Sequence, residues 1–154
     1  MKSESRKRGD AAARQISRAL IERGFTVHRY DAISTSSIYL KVDWGAGLSI
    51  RIADHDGYRH LNYRFNVDTS WKSGVRRGKV DQDGRSFTRT TYGLGSVGQL
   101  VGDVARRRDA IIRRDGEAAY RERMEALRAE ARAATKGFYA HPETYEVRLE
   151  AYHD

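Results

Sequence analysis

The densest group of chemically capable side chains in the sequence is Asp54-His55-Asp56-Gly57-Tyr58-Arg59-His60. Carboxylate oxygens and imidazole nitrogens suit a divalent cation that activates water against a phosphodiester, so Asp54, His55, Asp56 and His60 support a reading as a metal-dependent nuclease or phosphodiesterase. The same run has a plainer local reading. Asp56-Gly57 is turn chemistry, in which Asp54 accepts from backbone N–H groups and His55 closes a strand. The turn is preferred, because nothing else in the chain supplies the paired Glu and Lys or second carboxylate group of a nuclease site. Zero Cys removes thiol nucleophiles, thiolate metal sites and disulfides. Gly93-Leu94-Gly95-Ser96-Val97-Gly98 brings backbone amides to the start of a helix, but it lacks the Lys-Ser/Thr pair of a phosphate-binding turn. A loop and a capped helix account for it. The chain is read as a non-enzyme with no cofactor.

The elements that would position such residues follow from periodicity. Ala13, Ile16, Ala19 and Leu20 recur at helical spacing between Asp10, a good N-cap, and Gly24, a left-handed stop. Three strands then alternate with period two, their inward sets being Ile38, Leu40 and Val42, then Leu48, Ile50 and Ile52, then Leu61, Tyr63, Phe65 and Val67. Asp43-Trp44-Gly45-Ala46-Gly47 joins the first two as a hairpin, and residues 26–30 add an edge strand ahead of them. Residues 68–84 lose apolar periodicity and read as a mobile loop, and 85–91 as a further strand or its continuation. Capped by Ser96, a long helix carries Val97, Leu100, Val101, Val104, Arg108, Ile111 and Ile112 on one stripe that covers the sheet. Asp115-Gly116 breaks it, and Tyr120, Met124, Leu127, Ala131 and Ala134 continue on a second stripe. The fold class is α+β: an N-terminal helix, an antiparallel sheet of three to five strands, and a broken C-terminal helix on one face. One domain over 1–136 with a basic arm at 1–9 is followed by an acidic, Tyr-containing tail, 137–154, docked on it.

If the inward sets face the helices, the opposite sheet face presents Tyr39, Lys41, Ser49, Arg51, Asn62, Arg64 and Asn66. A ring among guanidinium and amide groups is the composition that stacks on bases and pairs with phosphate, although any solvated antiparallel face is polar. Charge points the same way. Lys and Arg number 29 against 21 Asp and Glu, net +8, and the excess lies ahead of the tail, where Arg148 stands against Glu143, Glu146, Glu150 and Asp154. Such a balance attracts polyanions through counterion release without giving sequence specificity. Tyr39, Lys41, Arg51 and Arg64 are the leading binding residues, with Arg76 and Arg77 of the loop next. Arg106, Arg113 and Arg114 share a solvent-facing side of their helix, partly neutralised by Asp103 and Asp109.

Ser34-Thr35-Ser36-Ser37-Ile38-Tyr39-Leu40, then Ser49-Ile50-Arg51-Ile52-Ala53-Asp54-His55, then Tyr63-Arg64-Phe65-Asn66-Val67 resembles a pattern in small uncharacterised accessory proteins of phages and other mobile elements. There a Ser-rich lead into a Tyr-containing strand precedes a strand ending in Arg-Ile/Val-Ser-Asp-His; here Ala53 stands in the Ser position. The resemblance implies a phage-derived protein that binds host machinery, with an anti-CRISPR-like role by analogy of origin, and it brings no catalytic residues. The expected partner is a nucleic acid or host nucleoprotein complex. Without an apolar stretch of spanning length or an apolar leader, no membrane is involved and the location is the bacterial cytoplasm. A homodimer through the 117–135 helix is the third reading.

Overall fold

The first helix, α1, spans Glu4–Glu22 and buries Ala12, Ala13, Ile16 and Leu20 on one stripe. The computed structural model describes residues 4–33, 37–46, 48–54, 63–68, 79–80, 86–87 and 92–151. Because α1 begins at Glu4, residues 4–9 of the expected basic arm are wound into the helix, and Asp10 is not its cap. The Asp10 carboxylate instead accepts from Arg29 Nη2 at 2.8 Å and Arg14 Nε at 3.0 Å. Charge-assisted bonds to guanidinium are stronger than one neutral cap bond, so they take the carboxylate away from the backbone. Gly24, at φ +89°, ends the helix: its own N–H reaches Ile21 O and that of Phe25 reaches Leu20 O.

Four strands follow as an antiparallel meander: β1 (Val27–Asp31), β2 (Ile38–Val42), β3 (Leu48–Asp54) and β4 (Tyr63–Asp68). Within 68–84, Asp68 closes β4 and the short β5 (Lys79–Val80) pairs with β6 (Ser86–Phe87); the rest of that segment lies outside the described residues. After two helices the chain returns as β7 (Tyr145–Glu146), which pairs with the outer side of β1. The sheet order is therefore β4-β3-β2-β1-β7, and β1 is internal where an edge strand was expected. Beyond β7, Val147 is buried and its N–H donates to Val27 O at 2.8 Å.

One side of the sheet is the core. Val27, Ile38, Leu40, Val42, Ile50 and Ile52 meet α1 and the stripe Val97, Leu100, Val101 and Val104 of α2 (Val97–Asp115) in one buried cluster. Ser96 makes no side-chain cap bond to this helix. Arg108 continues the stripe at its outer end, its guanidinium 3.6 Å from the centre of the Phe25 ring and donating to Arg23 O. Gly116, at φ +93°, breaks the helix where expected, and α3 (Glu117–Ala133) sets off against the β2–β3 turn. The architecture is α+β. No helix among the described residues is long and apolar enough to cross a membrane.

Candidate functional site

Strand alternation places His28 and Tyr30 of β1, Tyr39 and Lys41 of β2, and Ser49 and Arg51 of β3 on the side away from the core. The register sets them in adjacent rows: His28 opposite Lys41, Tyr30 opposite Tyr39, Tyr39 opposite Arg51, and Lys41 opposite Ser49. Arg64 takes the register position opposite Ala53, and Asn66 the one opposite Arg51. The meander thus brings Tyr39, Lys41 and Arg51 onto one face. Arg76 and Arg77 lie outside the described residues.

Planar groups run across this face as a ladder. The Arg51 guanidinium lies 5.6 Å from the centre of the Tyr39 ring, Tyr39 stacks on Tyr30 at 6.3 Å, and Tyr30 stacks on His141 at 4.2 Å with planes 13° apart. Stacked rings and guanidinium over a ring gain attraction beyond their apolar area. Arg51 Nη2 donates to Ser37 Oγ at 3.4 Å, and Lys41 Nζ donates to Ser49 Oγ at 2.8 Å.

The sequence pointed to Tyr39, Lys41 and Arg51 on this face and missed the other rings gathered there. Trp44 packs on His28 with ring centres 4.1 Å apart, and Tyr139 meets both, at 5.4 Å from His28 and 5.6 Å from Trp44. Phe138 sits edge-on to Tyr139 at 4.9 Å and below Lys41 Nζ at 5.9 Å. His28 and Tyr30 were within reach of reasoning, since both fall on the outward beat of Val27-His28-Arg29-Tyr30-Asp31 once that segment is a strand. Trp44 had no such signal.

Its position comes from the turn. Asp43 and Trp44 both adopt left-handed conformations, at φ +51° and +60°, ahead of Gly45 at φ +88°. For residues with a Cβ this costs about 1–2 kcal/mol each. Asp43 holds the turn: at 2% exposure its carboxylate accepts from Thr26 N–H at 2.9 Å and from Tyr120 Oη at 2.6 Å, while its own N–H donates to Thr26 O at 2.8 Å. Arg108 Nη1 approaches within 3.9 Å. Burial pushes the Asp43 carboxyl above the usual value against the pull of these three groups, and burial together with the Asp43 charge pushes the Tyr120 phenol up. The Tyr120, Met124 and Leu127 stripe is therefore used within the chain, with Tyr120 buried and the other two half-buried.

Several polar atoms on the second face are buried without a hydrogen-bond partner among the described residues: His28 Nδ1, Arg51 Nε, Tyr139 Oη and, where α3 lays Arg128 over the Trp44 ring at 5.8 Å, Arg128 Nε. Native structures leave few such groups, and each costs about 1–3 kcal/mol. Burial lowers the His28 pKa below its ordinary value, opposed by Glu146 across the β1–β7 pair, and burial raises the Tyr139 phenol.

Two of the cations on α2 are paired with carboxylates. Arg106 donates to Asp103, which also takes the Tyr92 hydroxyl, and Arg114 forms a fork with Asp115. Arg113 and Arg114 are exposed, as expected of a solvated helix side. Of the Asp54–His60 cluster, Asp54 ends β3 in register with Tyr63, while His55, Asp56 and His60 lie outside the described residues. Among the described residues no three His, Asp or Glu side chains gather as metal ligands would.

No protein-family model matches the chain, and neither a curated protein nor a solved structure matches it. The site's own geometry is what bears on function.

Proposed function

We propose that this chain is a non-enzymatic binding protein that engages single-stranded nucleic acid, free or as the exposed strand of a host nucleoprotein complex, through the second face of its sheet. The observation that carries the reading is the ladder Arg51–Tyr39–Tyr30, flanked by Lys41, on a strand surface that the core does not use. Unstacked bases can lie on such rings while guanidinium and ammonium groups neutralise phosphate, and neither contact needs a particular base. The net charge of +8 draws the strand in from solution. The mechanism is occupation: a bound strand is denied to other machinery. The phage-like sequence pattern extends the proposal to a phage accessory protein that blocks a bacterial defence complex, anti-CRISPR-like, by covering its guide or target strand in the bacterial cytoplasm. We do not extend it to a homodimer through residues 117–135, because Tyr120 at the start of that stripe is turned inward onto Asp43.

Fluorescence anisotropy with labelled single-stranded DNA, single-stranded RNA and duplex DNA over a range of salt tests the proposal. Single strands bind best, affinity falls steeply with salt, and Arg51→Glu weakens binding by about 1–3 kcal/mol. Equal binding by wild type and R51E overturns it. Cleavage of either strand type with magnesium or manganese, lost on substituting Asp54 and His55, moves the function to the nuclease reading.

A further inference from the structure

The segment that follows α3 lies on the same face that the proposed strand would use. Gly137, at φ +84°, redirects the chain, Phe138, Tyr139 and His141 lay their rings on Lys41, Trp44, His28 and Tyr30, and β7 and Val147 anchor the far end at β1. Residues 138–144 thus form a strap fixed at both ends. Part of its chemistry is that of a nucleic-acid strand: the His141 ring stacks on Tyr30, the Tyr139 ring leans on Trp44, and the segment carries one carboxylate, Glu143.

Two features mark the strap as a replaceable occupant. Beneath it, the Tyr139 hydroxyl and His28 Nδ1 are buried in neighbouring rings without hydrogen-bond partners, so the docked strap leaves polar groups unsatisfied at the centre of its contact. The far anchor is short: His28 pairs with Glu146 and Arg29 with Tyr145, which is 44% exposed, and beyond them Val147 is buried with its N–H on Val27 O. The described backbone bonds inside the strap are local turns: Ala140 N–H to Gly137 O, His141 N–H to Phe138 O and Thr144 N–H to His141 O. On the core side the Ser17 hydroxyl of α1 is likewise buried without a partner among the described residues, whereas the buried Arg29 charge of β1 is held by both Asp10 and Asp31.

We infer that residues 138–144 are an intramolecular competitor, and that single-stranded nucleic acid displaces them to reach His28, Tyr30 and Trp44. This rests on the proposed function and enlarges its site. A nucleobase then takes the place of the Tyr139 ring against Trp44, within reach of His28 Nδ1, and phosphate takes the place of the Phe138 ring beside Lys41. The strap lowers the observed affinity by the fraction of time it is docked, so loosening it tightens binding.

The test uses the full chain. Hydrogen–deuterium exchange of residues 138–147 is followed with and without a saturating 15-nucleotide oligothymidylate, and the same oligonucleotide is titrated against wild type and a Phe138→Ala/Tyr139→Ala double variant checked for folding by circular dichroism. The inference predicts faster exchange in 138–147 on binding and about tenfold tighter binding by the double variant. Binding by the double variant alone supports it equally. Unchanged or slower exchange in the bound wild type, with equal affinities, overturns the strap while leaving the face as the binding site. If neither protein binds, the proposed function fails and the inference with it. If the double variant does not fold, the wild-type exchange result decides.

Discussion

The two faces of one sheet finish their hydrogen bonding to different degrees. On the core face even a charge is fully provided for: Arg29, 3% exposed, donates to Asp31 at 2.7 Å and to Asp10 at 2.8 Å. Burial disfavours its charge, but the bonds to the two carboxylates outweigh burial and hold its pKa above the ordinary value. One residue away in the same strand, on the other face, His28 is 6% exposed, has no partner for Nδ1 among the described residues, and loses proton affinity through burial. Both are buried, ionisable residues of β1, so burial alone does not separate them. The difference is whether the fold itself supplies the partners, and on the second face it supplies rings and leaves polar atoms over.

The comparison breaks first if the core face proves dispensable. Leu40→Ala, at a position with no exposure in the main cluster, is expected to cost about 3 kcal/mol in urea unfolding while the folded fraction keeps its oligonucleotide affinity. A stable L40A chain with lost affinity would reverse the assignment of the two faces. Next comes the turn that carries Trp44. Asp43→Ala leaves Thr26 N–H and Tyr120 Oη unpaired in a buried, left-handed turn and is expected to cost about 3 kcal/mol, against about 1 kcal/mol for Tyr120→Phe. The larger variant should also unstack Trp44, seen as a red shift of its fluorescence.

Smaller in stability but sharper in function, Lys41→Glu should weaken oligonucleotide binding about tenfold with little change in melting temperature, since Lys41 is half-buried at the rim of the ring cluster. The smallest effect is that of pH. His28 has a folded pKa below its unfolded 6.5, so the unfolded chain takes the proton first. Stability from this group is complete above 6.5 and declines as pH falls below it. Glu146 across β7 opposes the shift, and Lys41 faces His28 across β2. The loss in unfolding free energy between about pH 7.5 and 5.5 should shrink in His28→Phe; an unchanged loss would place the titration elsewhere.

Period-two alternation was enough to place Tyr39, Lys41 and Arg51 on one face, because sheet registry follows from which set is apolar. Gly24 and Asp115-Gly116 likewise marked real breaks, since left-handed geometry favours residues without a Cβ. The Asp10 cap misled because its side chain was needed by Arg29, nineteen positions away. Trp44 and the strap were illegible for a related reason. The left-handed turn at Asp43 and Trp44 depends on bonds to Thr26 and Tyr120, and the strap's position depends on rings gathered from both ends of the chain, none of which leaves a local pattern.

Photocrosslinking the full chain to an oligonucleotide carrying 5-iodouracil, with mass-spectrometric mapping of the attached residues, tests the central claim most directly. The account predicts attachment at Tyr39, Tyr30 and Trp44, reduced in R51E. Attachment confined to Tyr92 beside the α2 arginines, with the second-face rings untouched, would contradict it.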